Sequence, residues 1–172
     1  MWKTWTVQGA LLAVMILAGG CSEWVDVTSV YGPGVRFRDD AHCYAWAPDS
    51  SRSAGEGRPE NPDADRLIRE LVDAHLARKG FEKVPASAKP DFWIDYVARK
   101  RPRADANDFT EPMYLEGRLD IVALSPSNSK MIWTGSAEAK LDNTASPDVR
   151  RKRLDRVIGK ILDKAPSARK KF

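Results

Sequence analysis

Three segments in the second half of the chain alternate apolar and polar residues with a period of two, and this limits the fold more than any other feature. Asp91 to Arg99 sets Phe92, Ile94, Tyr96 and Ala98 against Trp93, Asp95 and Val97. Tyr114 to Leu124 sets Leu115, Gly117, Leu119, Ile121 and Ala123 against Glu116, Arg118 and Asp120. Met131 to Leu141 sets Met131, Trp133, Gly135, Ala137 and Ala139 against Thr134, Ser136, Glu138 and Lys140. Successive strand side chains point to opposite faces, so each segment is a strand with one face to bury and one to leave wet. The last two read as a hairpin through Ser125 to Lys130, whose Ser, Pro and Asn suit a turn. One-faced strands of this kind belong to antiparallel sheet covered on a single side.

Two amphipathic helices supply the cover. Asn61-Pro62 opens the first with a capping residue and a proline at the position where a helix accepts one, and Asp63 and Asp65 lie at the positive end of its dipole. It stops at Arg78-Lys79-Gly80, and Leu67, Ile68, Leu71, Val72 and Leu76 form its apolar stripe. Ser146-Pro147-Asp148 opens the second in the same way, with Leu154, Val157, Ile158, Ile161, Leu162 and Ala165 on one stripe. Earlier, Trp24 to Val27 and Ala41 to Ala47 read as extended, with a break at Tyr31-Gly32-Pro33-Gly34. Pro48 to Asn61 and Lys100 to Met113 read as loops. The fold class is α+β: a two-layer sandwich, a mostly antiparallel sheet with two amphipathic helices packed on one face.

The amino terminus carries an address. Lys3 precedes an apolar run from Gly9 to Gly20, which as a helix of about twelve residues spans only about 18 Å of a hydrocarbon core roughly 30 Å thick. That layout is a secretory signal, not a permanent span. The run ends Leu17-Ala18-Gly19-Gly20-Cys21, which resembles the lipobox of bacterial lipoproteins, with Ala18 in the place usually held by leucine. The resemblance implies signal-peptidase recognition through Leu17, Ala18, Gly19 and Gly20 and palmitate-type acylation of Cys21. It divides the chain into a signal peptide, residues 1–20, and a single periplasmic α+β domain, residues 21–172. Ser22 is not the aspartate that favours inner-membrane retention in such proteins, which points to the periplasmic face of the outer membrane.

Composition excludes other classes. At 172 residues, 42% hydrophobic and 30% charged, the chain is neither disordered nor polytopic. Its net charge of +4 is too small and dispersed for a nucleic-acid footprint, so no nucleic-acid partner is expected. Acylation of Cys21 leaves Cys43 without a partner, either buried as a small hydrophobe or reactive between molecules; Tyr44 and Trp46 favour burial.

The chain is similar to the domain-of-unknown-function 4136 family of bacterial envelope lipoproteins. The similarity rests on Tyr44-Ala45-Trp46, Ala77-Arg78-Lys79-Gly80-Phe81, Lys89-Pro90-Asp91-Phe92, and Gly117-Arg118-Leu119-Asp120-Ile121 with Ile132-Trp133-Thr134-Gly135-Ser136-Ala137. The hairpin tip, Ser125-Pro126-Ser127-Asn128-Ser129, departs from the Asp and Thr-Gly-type turn usual there. The resemblance implies an exported α+β domain and brings no catalytic residues with it.

Candidate chemistry is sparse. His42 and Cys43 are the one thiol and base pair, but strand neighbours point to opposite faces and are not expected to meet. His42, Cys43 and His75 match no metal-ligand spacing, so neither a metal nor a cofactor is expected, and His75 reads as a partly buried helix histidine. Asp95, Glu116, Asp120 and Glu138, interleaved with Arg118 and Lys140, read as a solvated sheet face. Trp93, Arg118 and Glu138 on that face are the possible interaction surface for an envelope protein or glycan. The basic residues 150–153 and 169–171 suit an anionic surface or a solvated helix start and end. The expectation is a non-enzymatic, membrane-anchored binding or scaffolding module. The alternatives are an envelope hydrolase or thiol enzyme and a soluble periplasmic domain for small ligands.

Overall fold

The computed structural model describes residues 25–34, 37–48, 57–59, 61–103, 114–142 and 144–168. In chain order these form β1 (Val25–Tyr31), β2 (Cys43–Trp46), α1 (Pro62–Arg78), β3 (Glu82–Lys83), a 3-10 turn at Ala86–Ala88, β4 (Phe92–Arg103), β5 (Tyr114–Leu124), β6 (Met131–Lys140) and α2 (Pro147–Asp163). Both helices open as their sequences dictate. The Asn61 side chain accepts from the Asp63 amide at 2.9 Å and Ser146 from that of Val149 at 3.4 Å, each with Pro in the first turn.

The strands make one sheet in the order β1-β6-β5-β4-β2-β3. Pairing is antiparallel except where β2 lies parallel to β3 and to β4. Parallel neighbours need a long crossover, and α1 provides it between β2 and the strands that follow. The apolar faces of β4, β5 and β6 turn toward the helices. Phe92, Ile94, Tyr96, Ile121 and Trp133 are buried against Val72, Leu76, Ile158, Ile161 and Leu162. Phe92 is the aromatic centre at the β2 end, with ring centroids 5.0 Å from Phe37, 5.2 Å from Phe81 and 5.9 Å from Tyr44. The α+β architecture, with helices on one face of a mostly antiparallel sheet, is the one that the alternation implies.

Three details differ from expectation. β4 continues to Arg103, so residues 100–103 are strand rather than loop; register with β5 carries them, from Lys100↔Gly117 to Arg103↔Tyr114. Pro102 is accepted there because, among the described residues, the side of β4 away from β5 is paired with β2 as far as Ile94 and bonded to Gly57 at Ala98 but meets no strand beyond. The register of β5 with β6 shifts between Ala123 and Leu124, where Ile132 is the extra residue of β6, so Ile132 and Trp133 are both buried where strict alternation would expose one. The two-residue β3 carries no pattern and is placed by its parallel pairing with β2. No helix among the described residues is long and apolar enough to cross a membrane.

Candidate functional site

Two groupings of polar side chains stand out, and the first covers the sheet face away from the helices. Arg99, Arg101 and Arg103 project there from β4, Glu116, Arg118 and Asp120 from β5, and Ser136 and Glu138 from β6, as the register requires. Arg101 Nε lies 2.6 Å from Glu116 Oε2, and Arg103 Nη1 reaches the same oxygen at 3.1 Å. Arg118 bridges Asp120 at 2.9 Å and Glu138 at 2.8 Å, and Arg101 reaches Glu138 at 3.3 Å. The carboxylates are short and sink between strands, while the arginine stems rise over them. The Glu116 side chain is therefore only 5% exposed where those of Arg99 and Arg118 keep 59% and 41%.

This face is not the evenly solvated one anticipated. Its acids are largely covered, and what it presents to solvent is guanidinium. Burial pushes the Glu116 carboxyl up, but hydrogen bonding and charge from Arg101, then Arg103, outweigh it and hold the group below the ordinary carboxylate value.

Of the anticipated interaction residues, Arg118 and Glu138 are brought into contact and Trp93 is not. Trp93 pairs with Leu124 and Arg118 with Arg99, a separation of six residues or about 20 Å along the strand. Trp93 is half-buried, with its indole Nε1 lacking a partner among the described residues. Arg101 and Arg103, read from the sequence as part of a loop that could contact a partner, lie on this strand face instead, together with Arg99. Their own period of two was the available signal, masked by the intervening Lys100 and Pro102. Leu17, Ala18, Gly19, Gly20 and Cys21 lie outside the described residues, as does the 169–171 cluster. Within the 150–153 cluster, Arg151 pairs with Glu70 at 2.6 Å and Arg153 with Asp142 at 3.3 Å, so part of it is neutralised.

The second grouping joins the start of β2 to the start of β4. Asp91 Oδ2 accepts the backbone N–H groups of His42 and Cys43, each at 3.0 Å, and the Cys43 thiol at 3.2 Å. His42 Nδ1 lies 3.3 Å from the same oxygen. His42 precedes β2, so strand alternation does not govern it, and its ring converges with the Cys43 sulfur instead of facing away. Asp91, 48 residues from Cys43 in sequence, is the member that sequence reasoning missed. Burial pushes the Cys43 thiol up and keeps it protonated. Burial also pushes Asp91 up, but the two backbone N–H bonds and the thiol together outweigh it and hold the carboxyl below its ordinary value. His75 takes no part; its Nε2 lies 2.9 Å from Asp155 Oδ1 across the two helices.

The fold and these sites define a class: an α+β domain with one helix-covered sheet face and one arginine-rich face. The chain belongs to the domain of unknown function family DUF4136, whose model matches residues 27–167. No curated protein matches it. Among solved structures, the PelC dodecamer from Paraburkholderia phytofirmans is similar with a TM-score of 0.52 at 14% identity, covering 86% of this chain and 100% of that one. A PDZ domain protein from Parabacteroides distasonis is similar with a TM-score of 0.55 at 15% identity, covering 87% of this chain and 37% of that one. At these identities the likeness is one of fold.

Proposed function

We propose that the chain is a non-enzymatic lipoprotein of the cell envelope, acylated at Cys21, that works as a binding or scaffolding module at the periplasmic face of the outer membrane. Tethering confines the domain near one surface and raises its effective concentration for partners there. The observation that carries the binding role is the guanidinium face: Arg99, Arg101, Arg103 and Arg118 stand over carboxylates that the strands cover. A partner presenting carboxylate or phosphate groups would compete for arginines already oriented by Glu116, Asp120 and Glu138.

Mass spectrometry of the amino-terminal peptide, with and without Cys21→Ser, tests the anchor; an unlipidated peptide or a different mature start refutes it. Photo-cross-linkers placed at positions 101 and 118 in intact cells, with a control at the exposed Lys160 of α2, test the face. Adducts confined to the sheet positions and lost on Arg103→Glu support it. Adducts equal at position 160, or none, refute it.

A second reading, self-association, is favoured by β1. This edge strand leaves Val30 56% and Tyr31 53% exposed, and PelC, which shares the fold, is a dodecamer. Light scattering on the chain and on Val30→Lys separates the two: a larger assembly that Val30→Lys breaks belongs to this reading.

A further inference from the structure

We propose that His42, Cys43 and Asp91 form a binding site for a divalent cation of zinc type, held by one imidazole nitrogen, one thiolate and one carboxylate oxygen with a fourth position open to solvent. Their ligand atoms all lie within 4.8 Å of one another, the one such group of three among the described residues. The spacing is that of a coordination sphere. Bond lengths of about 2.0–2.3 Å arranged tetrahedrally put neighbouring ligand atoms about 3.3–3.7 Å apart. Here the sulfur is 3.2 Å and the imidazole Nδ1 3.3 Å from the shared carboxylate oxygen; a cation bound there replaces the thiol proton and the 3.1 Å contact of Nδ1 with the Asp40 carbonyl.

The support around the group is that of a metal site. The amides of His42 and Cys43 orient the Asp91 carboxylate, whose side chain is 14% exposed, in the way that outer hydrogen bonds orient ligating carboxylates elsewhere. The neighbouring charges are Arg38, whose Nη1 is 3.9 Å from Asp91 Oδ1, Asp40, which pairs with Arg38 at 2.7 Å, and the carboxylate of Glu82, so the surroundings are not net positive. The His42 side chain is 46% exposed, which gives a cation an entry path and leaves room for water as the fourth ligand.

Sulfur, nitrogen and oxygen donors together suit borderline cations such as Zn²⁺ over Mg²⁺ or Ca²⁺, which take oxygen alone. Binding exchanges a proton for a metal bond. The Cys43 S–H bond breaks, the sulfur–metal bond forms, and one proton leaves to solvent while the imidazole binds as the neutral ring.

The test uses the full chain with Cys21→Ser, which leaves Cys43 as the single thiol, stripped with chelator and titrated with Co²⁺ and then Zn²⁺. The expected result is one equivalent per chain, a thiolate-to-cobalt charge-transfer band that Zn²⁺ abolishes, and Cys43 alkylation slowed at least about tenfold by Zn²⁺. His42→Ala and Cys43→Ser each lower the affinity by at least about tenfold while circular dichroism stays that of the folded chain. Asp91→Asn is secondary, because that side chain also pins β2. Absence of the band, alkylation indifferent to Zn²⁺, or binding that survives both His42→Ala and Cys43→Ser overturns the site. None of these outcomes depends on where the protein is anchored.

Discussion

Tyr44 of β2 and Asp73 of α1 meet through a 2.8 Å hydrogen bond from the tyrosine hydroxyl to Oδ1, and the Trp46 indole N–H donates to the same oxygen at 2.9 Å. One carboxylate thus satisfies two aromatic donors on the strand that α1 crosses over, and Lys83 of β3 takes its other oxygen at 2.7 Å. Burial first, and then the bond to Asp73, push the Tyr44 hydroxyl above its ordinary value, so it stays a donor at any working pH.

Removing the acceptor should cost more than removing one donor. Tyr44→Phe loses a single bond while Asp73 keeps Trp46 and Lys83, at a cost of about 1 kcal/mol. Asp73→Ala leaves a buried hydroxyl and an indole N–H without an acceptor, at a cost of about 3 kcal/mol. Urea denaturation of both variants checks the order. Equal losses would mean that water serves these donors equally well.

The acid limb of stability follows from three carboxylates held below their ordinary values: Glu116, Asp65 and Asp91. Burial pushes Asp65 up, but the Tyr96 hydroxyl, Arg69 and Arg58 outweigh it. Each of these groups binds its proton less readily folded than unfolded. Their contribution is therefore complete above the unfolded carboxylate range near pH 4 (about 3.9–4.3) and is lost as pH falls through the lower folded values. Glu116→Gln should lower stability at pH 7, with the gap from the parent narrowing below about pH 4. Urea midpoints across a pH series measure it, and a gap independent of pH would assign the loss to packing.

Gly135 is a close-packing position. A Cβ there would lie 2.6 Å from Ile161 Cγ2 and 2.6 Å from the Trp133 ring, and both neighbours are essentially fully buried. Neither can yield without disturbing the contact between α2 and β6, so Gly135→Ala should destabilise by about 1–3 kcal/mol. Thermal unfolding against Gly117→Ala is informative, since the three atoms nearest a Cβ there all belong to Leu141, a half-buried side chain just past the end of β6. The larger loss belongs at 135.

What the sequence makes legible is whatever is set by neighbours in the chain. The cap-and-proline openings at Asn61 and Ser146, the stripes through Leu71 and Ile161, and the alternation of β4 to β6 are local, and all appear in the fold. The illegible parts are set by partners far away. Residues 100–103 stay extended through register with β5, Ile132 turns inward through a bulge, and Cys43 meets Asp91 only because β2 lies parallel to β4. The burial of Glu116 is of the same kind, since alternation says which face a residue takes but not that arginines from the next strand will cover it.

The hairpin between β5 and β6 carries the last prediction. Ser129 has φ +53°, in the left-handed region that costs an L-residue about 1–2 kcal/mol, and its amide donates to the Ser125 carbonyl at 2.9 Å. The Ser125 amide in turn donates to the Lys130 carbonyl at 2.8 Å, so the conformation at 129 closes the turn. Glycine would remove the steric cost but widens the unfolded ensemble by about 0.4–1 kcal/mol. The two terms leave Ser129→Gly more stable by about 0.5 kcal/mol. Lys89, at φ +51°, offers a parallel case between the 3-10 turn and β4. Urea midpoints that rise for both glycine variants, with unchanged slopes, bear this out; a midpoint that falls for Ser129→Gly means that the serine side chain contributes more to the turn than its backbone strain costs.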